Sequence, residues 1–246
     1  MTPSYIALPA VASTNTYLAA HAASLPAGTV VHTPCQTAGR GQKGNHWESE
    51  PGKNLTFSLL LKDTGVSARH QFCLSEAVAV GIADALPEAP LRVKWPNDIY
   101  CGDGKLAGIL IENTLQGQLI EQCIAGVGLN VNQTVFTSDA PNPVSLRQIT
   151  GREYDLDALL RRVCESICLL VDTLPHDAEA LHARYRRLLY RNDGCEHPFA
   201  LPGGERFMAT IQDVSPDGML TLRHAHGGSQ AYAFKQVKHI ISEHAL

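Results

Sequence analysis

The stretch that most constrains this chain runs from residue 36 to 47, Gln-Thr-Ala-Gly-Arg-Gly-Gln-Lys-Gly-Asn-His-Trp. Three glycines in six residues, Gly39, Gly41 and Gly44, free the backbone to turn tightly and to approach a ligand, while Arg40 and Lys43 set positive charge among the N–H groups. The spacing also satisfies the dinucleotide fingerprint G-x-G-x-x-G, which demands a helix starting within the glycines to receive a pyrophosphate on its N-terminus. Here Glu48, Ser49, Glu50, Pro51 and Gly52 follow, which cannot continue a helix, and the next regular element is a strand over residues 54–61. A doubly wound dinucleotide-binding domain is therefore excluded. What remains is a basic loop between strands, either a plain surface turn or a mobile flap that holds an anion by itself.

The rest of the chain reads as strands and helices in alternation. Residues 5–8 form a short strand, and Ser13, Thr14 and Asn15 are helix-capping residues ahead of an Ala-rich helix over 16–23. The same small polar groups are equally able to face a ligand. Strands over 29–33 and 55–61 flank the glycine loop, and 68–86 carry the apolar pattern of a largely buried helix ended by Pro87 and Pro90. Residues 91–100 read as a strand interrupted at Pro96-Asn97-Asp98, and proline in mid-strand marks an edge or bulge that re-aims side chains at a site. Turn signals at Asp103-Gly104 and Gln116-Gly117 separate two central strands, 105–114 and 118–131, the second rich in Gly126, Gly128, Asn130 and Asn132 near its end. Residues 134–150 are loop-like, and amphipathic helices follow over 154–174 and 177–189. Beyond Tyr190 the texture changes to short strands with Gly-rich turns, which predicts a small β-barrel or meander of about five strands. The expected organisation is residues 1–190 as one domain and 191–246 as a second.

At 246 residues and 44% hydrophobic content the chain can bury a full core. A net charge of −4 argues against non-specific nucleic-acid binding, and the one dense basic run, Arg184, Arg186, Arg187 and Arg191, has the spacing of a solvated helix face. Seven scattered cysteines without a C-x-x-C pair suit a reducing compartment. With no basic, apolar leader over residues 1–12 and no run of about 18 apolar residues, the expectation is a soluble cytoplasmic protein that meets neither membrane nor DNA.

The groups able to do chemistry are cationic and amide: Arg40, Lys43, Lys94 and Lys105, with Gln36, Asn97 and Asn130. No metal-ligand spacing, Walker A sequence, G-x-S-x-G or Cys/His nucleophile motif is present. Arginine, lysine and backbone N–H groups suit a reaction in which negative charge builds on phosphoryl or carboxyl oxygens. The residues by themselves thus point to a nucleotide-using or carboxylate-activating enzyme.

Taken in order, Ser13-Thr14-Asn15, Gln36-Thr37-Ala38-Gly39-Arg40-Gly41, Trp47, Lys94-Trp95-Pro96-Asn97-Asp98, Lys105-Leu106-Ala107-Gly108-Ile109-Leu110-Ile111-Glu112 and Gly126-Val127-Gly128-Leu129-Asn130-Val131-Asn132 resemble the successive motifs of the biotin protein ligases. Each is weak alone; their shared order and spacing make the resemblance specific. It implies an α+β fold: a mixed β-sheet flanked by helices, as in biotin and lipoate ligases, with a small C-terminal SH3-like β-barrel. It also implies an ATP-dependent, AMP-forming reaction with Mg²⁺, in which biotin becomes biotinyl-adenylate and is passed to a lysine of a biotin carboxyl carrier protein. By the same resemblance Ser13, Thr14, Asn15 and Gln36 hold the ureido end of biotin. Gly39, Arg40, Gly41 and Gln42 close over the adenylate, Trp47 supports the nucleotide, and Asn130 and Asn132 lie near adenine and ribose. Lys94, Asn97, Asp98 and Gly108 belong to the same ligand-binding set, Arg40 and Lys105 are the catalytic pair, and no protein-bound metal site is expected.

Two departures stand out. Relatives that repress transcription carry a winged helix before the Ser-Thr-Asn segment, whereas 12 residues precede Ser13, so this chain resembles the ligase without the DNA reader. Gln42 also occupies a position where the fullest motif has arginine. The resemblance leaves monomer or homodimer open. Its rivals are a lipoate ligase or octanoyl transferase, of similar fold, and a non-catalytic biotin-binding regulator.

Overall fold

The structure, a computed structural model, describes residues 1–42, 46–137 and 142–241. The strands and α-helices up to residue 129 are β1 (Ser4–Ala7), α1 (Thr14–His21), β2 (Thr29–Thr33), β3 (Leu55–Lys62), α2 (Phe72–Ala85), β4 (Leu91–Lys94), β5 (Asp98–Cys101), β6 (Gly104–Gln116) and β7 (Leu119–Leu129). The strands make one seven-stranded sheet in the order β1-β2-β3-β7-β6-β5-β4. β1 and β2 run parallel, and every other neighbouring pair is antiparallel, so the sheet is mixed.

Alternation along β3 explains how its two faces are covered. Phe57, Leu59 and Leu61 join the large core under α2, while Leu60 packs with Leu18, Val31 and Ile124 under α1. Ser58 lies on that second face with Thr56, a buried hydroxyl set between Phe57 and Leu59. Three more helices follow, α3 (Leu146–Thr150), α4 (Leu156–Asp172) and α5 (Ala178–Leu188). On α4 the buried residues Leu159, Leu160, Val163, Cys164, Ile167, Cys168 and Val171 recur at helical spacing and face α2. Gly81 allows that approach, because a Cβ there would lie 2.8 Å from the Ile167 side chain and 2.9 Å from its Cα.

The chain ends in a second, five-stranded antiparallel sheet, β8 (His197–Ala200), β9 (Arg206–Val214), β10 (Leu220–His224), β11 (Ser229–Tyr232) and β12 (Lys238–His239), ordered β11-β10-β9-β8-β12. It is tied to the first sheet through Trp95, whose Nε1 donates to the Gly218 carbonyl at 2.9 Å, and through Arg191, whose guanidinium donates to the Ile240 carbonyl at 2.8 Å and lies 3.9 Å from the Asp103 carboxylate beside β6.

Several boundaries differ from the sequence reading for local reasons. The interrupted strand over 91–100 is a hairpin, β4 and β5, with Lys94 opposite Asp98 across the turn at residues 95–97. Pro96 therefore sits where no ladder hydrogen bond is needed, beside a strand at the sheet edge. The turns expected at Asp103-Gly104 and Gln116-Gly117 fall one residue away, at 102–103 and 117–118, where Gly102 (φ 54°) and Gly117 (φ 63°) supply the left-handed conformation. α1 begins at Thr14, with the Ser13 hydroxyl as cap, so Thr14 and Asn15 lie inside its first turn. α3 lies within the stretch read as loop, and its Ser145/Gln148 capping box is the signal that marks it.

Candidate active site

A cavity of about 370 Å³ opens where the start of α1, the glycine loop, the β4–β5 turn and strands β6 and β7 converge, and the second sheet closes one side. Ser13, Thr14, Asn15, Gln36, Arg40, Gly41, Gln42, Trp47, Lys94, Asn97, Asp98, Lys105 and Gly108 all line it, which brings thirteen of the sixteen residues singled out from sequence to one wall.

One end is neutral and polar. Gln36 Oε1 accepts from the Thr14 backbone N–H at 2.9 Å and lies 3.2 Å from the Thr14 hydroxyl oxygen. The Ser58 hydroxyl lies 2.7 Å from Thr14 Oγ1 and 2.5 Å from Asn15 Oδ1. Asn15 Nδ2 donates to Glu112 Oε2 at 2.7 Å and, more weakly, to the Leu110 carbonyl at 3.5 Å. Ser13, Thr14 and Asn15 are at most 4% exposed, so each polar atom is held by protein and aimed rather than solvated.

The floor is glycine. Gly126 and Gly128 point to the same face of β7, and Gly108 on β6 pairs with Gly128. A Cβ on Gly126 would lie 2.1 Å from Asn15 Oδ1, and one on Gly128 would lie 2.2 Å from the Trp47 indole, which also covers Gly108 at 3.2 Å. Trp47 is thus laid flat on the sheet, and its buried Nε1–H finds no partner among the described residues.

The other end is cationic. Lys105 Nζ is 2.7 Å from Asp98 Oδ1 and 5.9 Å from the centre of the Trp47 ring, and Lys94 Nζ is 4.0 Å from Asp98 Oδ2. One carboxylate thus faces two ammonium groups. Burial holds the Lys94 ammonium below the ordinary lysine range, Lys105 and Arg191 push the same way, and Asp98 opposes them. Asn97 fastens the turn to β6, its Nδ2 donating to the Ile109 carbonyl at 2.7 Å. Arg40 reaches Glu112 Oε1 at 2.6 Å and Thr16 Oγ1 at 3.2 Å.

The neck of the glycine loop is closed by Gly39, whose carbonyl accepts from Trp47 N–H at 3.1 Å. A Cβ there would lie 2.5 Å from the Trp47 carbonyl oxygen, so Gly39 serves the loop's closure and stands outside the cavity wall. Lys43 and Gly44, the other half of the expected anion loop, lie outside the described residues.

Asn130 and Asn132 are placed elsewhere. Asn130 Nδ2 donates to the carbonyls of Val144 (3.2 Å) and Lys105 (3.4 Å), and the Asn132 amide exchanges two bonds with the Tyr154 backbone at 2.8 and 2.9 Å. Neither residue lines the cavity. Their amides anchor the chain leaving β7, and Asn132→Ala, which strips both bonds from the half-buried Tyr154 backbone, should cost about 1–3 kcal/mol of stability in urea unfolding. Biotin affinity in the folded variant should change by less than about threefold.

The second sheet supplies wall residues that sequence reasoning missed, among them Phe234, Lys238 and His239. Burial, with Lys94, Arg191 and His197 adding to it, holds the His239 imidazole well below its usual range. Nothing in the short-strand texture of residues 191–246 signals this return to the cavity. Ser58 was also missed, although a serine between Phe57 and Leu59-Leu60-Leu61 is a legible anomaly.

Comparison with known proteins agrees with this geometry. The family model of the biotin/lipoate A/B protein ligase family matches residues 7–130. The bifunctional ligase/repressor BirA of Escherichia coli is 38% identical over 128 residues, which cover 50% of this chain and 39% of the relative. The biotin--[acetyl-CoA-carboxylase] ligase of Mycobacterium tuberculosis is 30% identical over 220 residues, 85% of this chain and 79% of that protein. The chain thus spans less than half the length of the BirA relative but most of the mycobacterial one. In fold it is similar to the biotin protein ligase from Aquifex aeolicus in complex with biotin and ATP, with a TM-score of 0.79 over 96% of this chain and 99% of that one at 23% identity. The matched segment carries every strand of the larger sheet except the start of β1, together with the glycine loop, the polar cluster and both lysines, and the chain belongs to the biotin/lipoate A/B protein ligase family.

Proposed function

We propose that this chain is a biotin protein ligase, which activates biotin with ATP and transfers it to a lysine of a biotin carrier domain. The observation that carries this reading is one cavity with two chemistries: a neutral array of the buried Ser13, Thr14 and Asn15 with the half-buried Gln36, and cationic groups supplied by Lys94 and Lys105 at the other end and by Arg40 on the glycine loop. The first suits a neutral hydrogen-bonding ring such as the ureido group, and the second suits a carboxylate beside a triphosphate. Residues 1–190 would bind both substrates, with 191–246 closing the nucleotide side.

In the first step an oxygen of biotin's carboxylate attacks the α-phosphorus of ATP, the bond to the β-phosphate oxygen breaks, and pyrophosphate leaves with the electron pair. Lys105 and Arg40 meet the charge that gathers on the phosphoryl oxygens, preorganised by Asp98 and Glu112 respectively. In the second step the amine of the carrier lysine attacks the acyl carbon, AMP leaves, and the amine gives up its proton. Mg²⁺ would come with the nucleotide: Asp98 is the one carboxylate in the described wall, and such an ion typically takes one or two carboxylates plus phosphate oxygens. When bound it would neutralise phosphate charge.

The family name also covers lipoate chemistry, and biotin-dependent exchange of labelled pyrophosphate into ATP separates the two. Exchange that requires biotin and is unsupported by lipoate or octanoate is expected; exchange driven by either fatty acid in place of biotin would refute the reading. A reducing compartment such as the cytoplasm fits the seven unpaired cysteines. No described helix is long and apolar enough to cross a membrane.

Gln42 bears on how tightly the adenylate is kept. It lines the cavity where an arginine would add a charged donor. A hydrogen bond to a charged group is worth about 1.5–3 kcal/mol, roughly 10- to 150-fold in affinity. Gln42→Arg should therefore slow release of preformed biotinyl-adenylate toward the lower end of that range, and Gln42→Gly should speed it. Release rates within about twofold across the three proteins would show that position 42 does not clamp the intermediate.

A further inference from the structure

The hydrogen bonds of the polar cluster continue past it. Gln36, Thr14, Ser58, Asn15, Glu112 and Arg40 form an unbroken chain at 2.5 to 2.9 Å, in which the Thr14 backbone N–H donates to Gln36, the Thr14 hydroxyl to Ser58 and the Ser58 hydroxyl to Asn15. Glu112 is the hinge of that chain: one carboxylate oxygen accepts from Asn15 at 2.7 Å and the other from Arg40 at 2.6 Å. It does not line the cavity, yet it touches two residues that do, Asn15 of the neutral array and Arg40 of the glycine loop.

We propose that Glu112 is a positioning residue that couples the neutral array to the glycine loop, setting the amide of Asn15 for one ligand and the guanidinium of Arg40 for the other. The inference rests on the biotin and ATP reading of the cavity. Asn15 has two N–H groups, and Glu112 and the Leu110 carbonyl take both. Its Oδ1 accepts from Ser58 and keeps a free lone pair, so Asn15 offers a ligand an acceptor and no donor. That polarity matches an N–H of a ureido ring, and the carboxylate of Glu112 enforces it, since a flipped amide would set oxygen against oxygen. The same carboxylate holds Arg40 on the loop that would cover the nucleotide.

The side chains of Arg40 and Glu112 are 47% and 35% exposed, and an ion pair so open to water adds little stability. Its value is geometric. A ligand that fixes Asn15 fixes Glu112, which in turn leaves Arg40 with less freedom to lose when the nucleotide binds. Glu112→Gln is the informative change: the amide keeps the shape but has one acceptor oxygen for two donors, so one of the two contacts must turn repulsive.

Calorimetric titration of the full chain with biotin, alone and with a saturating non-hydrolysable ATP analogue and Mg²⁺, reads the coupling directly. The wild-type protein should bind biotin about 5- to 150-fold more tightly with the analogue present. Glu112→Gln should cut that enhancement to within about twofold while still binding each ligand alone. Should Glu112→Gln fail to fold by circular dichroism, Glu112→Asp carries the same test, because its shorter side chain cannot reach both partners. Enhancement retained in the folded variant, or absent from the wild type, overturns the coupling role with the ligand reading intact. A wild-type protein that binds no biotin overturns both.

Discussion

Lys105→Ala lowers the rate of biotinyl-adenylate formation by about 10²- to 10³-fold, the usual cost of removing one preorganised donor aimed at developing charge. Biotin affinity changes by less than about threefold. The asymmetry follows from placement. Lys105 Nζ stands 2.7 Å from Asp98 at the cationic end, while the neutral array that would receive the ring is built by Ser13, Thr14, Asn15 and Gln36. Its loss leaves Asp98 with Lys94 alone, at 4.0 Å, so the local charge moves from positive toward neutral where phosphoryl oxygens accumulate charge. Pyrophosphate exchange at saturating biotin and ATP measures the step. A wild-type exchange rate in the variant would remove Lys105 from catalysis, and a loss of biotin affinity as large as the loss of rate would make it a binding residue instead.

Gly126→Ala should be nearly as damaging through a different term. The new methyl would lie 2.1 Å from Asn15 Oδ1, 2.8 Å from its Cγ and 3.0 Å from Nδ2. Asn15 is 3% exposed and pinned by Ser58 and Glu112, so it has no solvent to swing into. Displacing it breaks one neutral hydrogen bond, worth about 1 kcal/mol, and one to a charged group, worth about 1.5–3. That sum is lost from folding stability; biotin in turn loses the Asn15 acceptor, and a buried N–H left unsatisfied costs about 1–3 kcal/mol, roughly 5- to 150-fold in affinity. Gly203→Ala is the control, since nothing lies within 4 Å of its added methyl. Calorimetric titration with biotin should separate the two variants; equal affinities would mean that Asn15 does not hold the ligand.

Much of the fold was legible because its signals are local. Alternation in β3, the helical spacing of α4 and the glycine-bearing turns before β6 and after it each depend on a few neighbouring residues. Lys94-Trp95-Pro96-Asn97-Asp98 announced a break in a strand, though only the register shows that the break is a hairpin turn which sets Lys94 and Asp98 face to face. The site was legible where residues act through motifs and illegible where they act through tertiary return. Phe234, Lys238 and His239 reach the cavity from about a hundred residues beyond β7, and no spacing rule records such a contact. Asn130 and Asn132 show the converse: they stand within a recognisable motif, yet their amides serve backbone groups of the following loop. Glu112 was visible at the end of its motif, but a carboxylate that bridges two other site residues can be seen only when all three are placed.

The most direct test of the account is the intact mass of a purified biotin carrier domain after incubation with this protein, biotin and MgATP. The expected gain equals one biotin less one water, on a single lysine, and disappears when either biotin or ATP is left out and in Lys105→Ala. An unchanged carrier mass under conditions where a known biotin protein ligase labels the same carrier, or a gain that appears with lipoate and not with biotin, would contradict it.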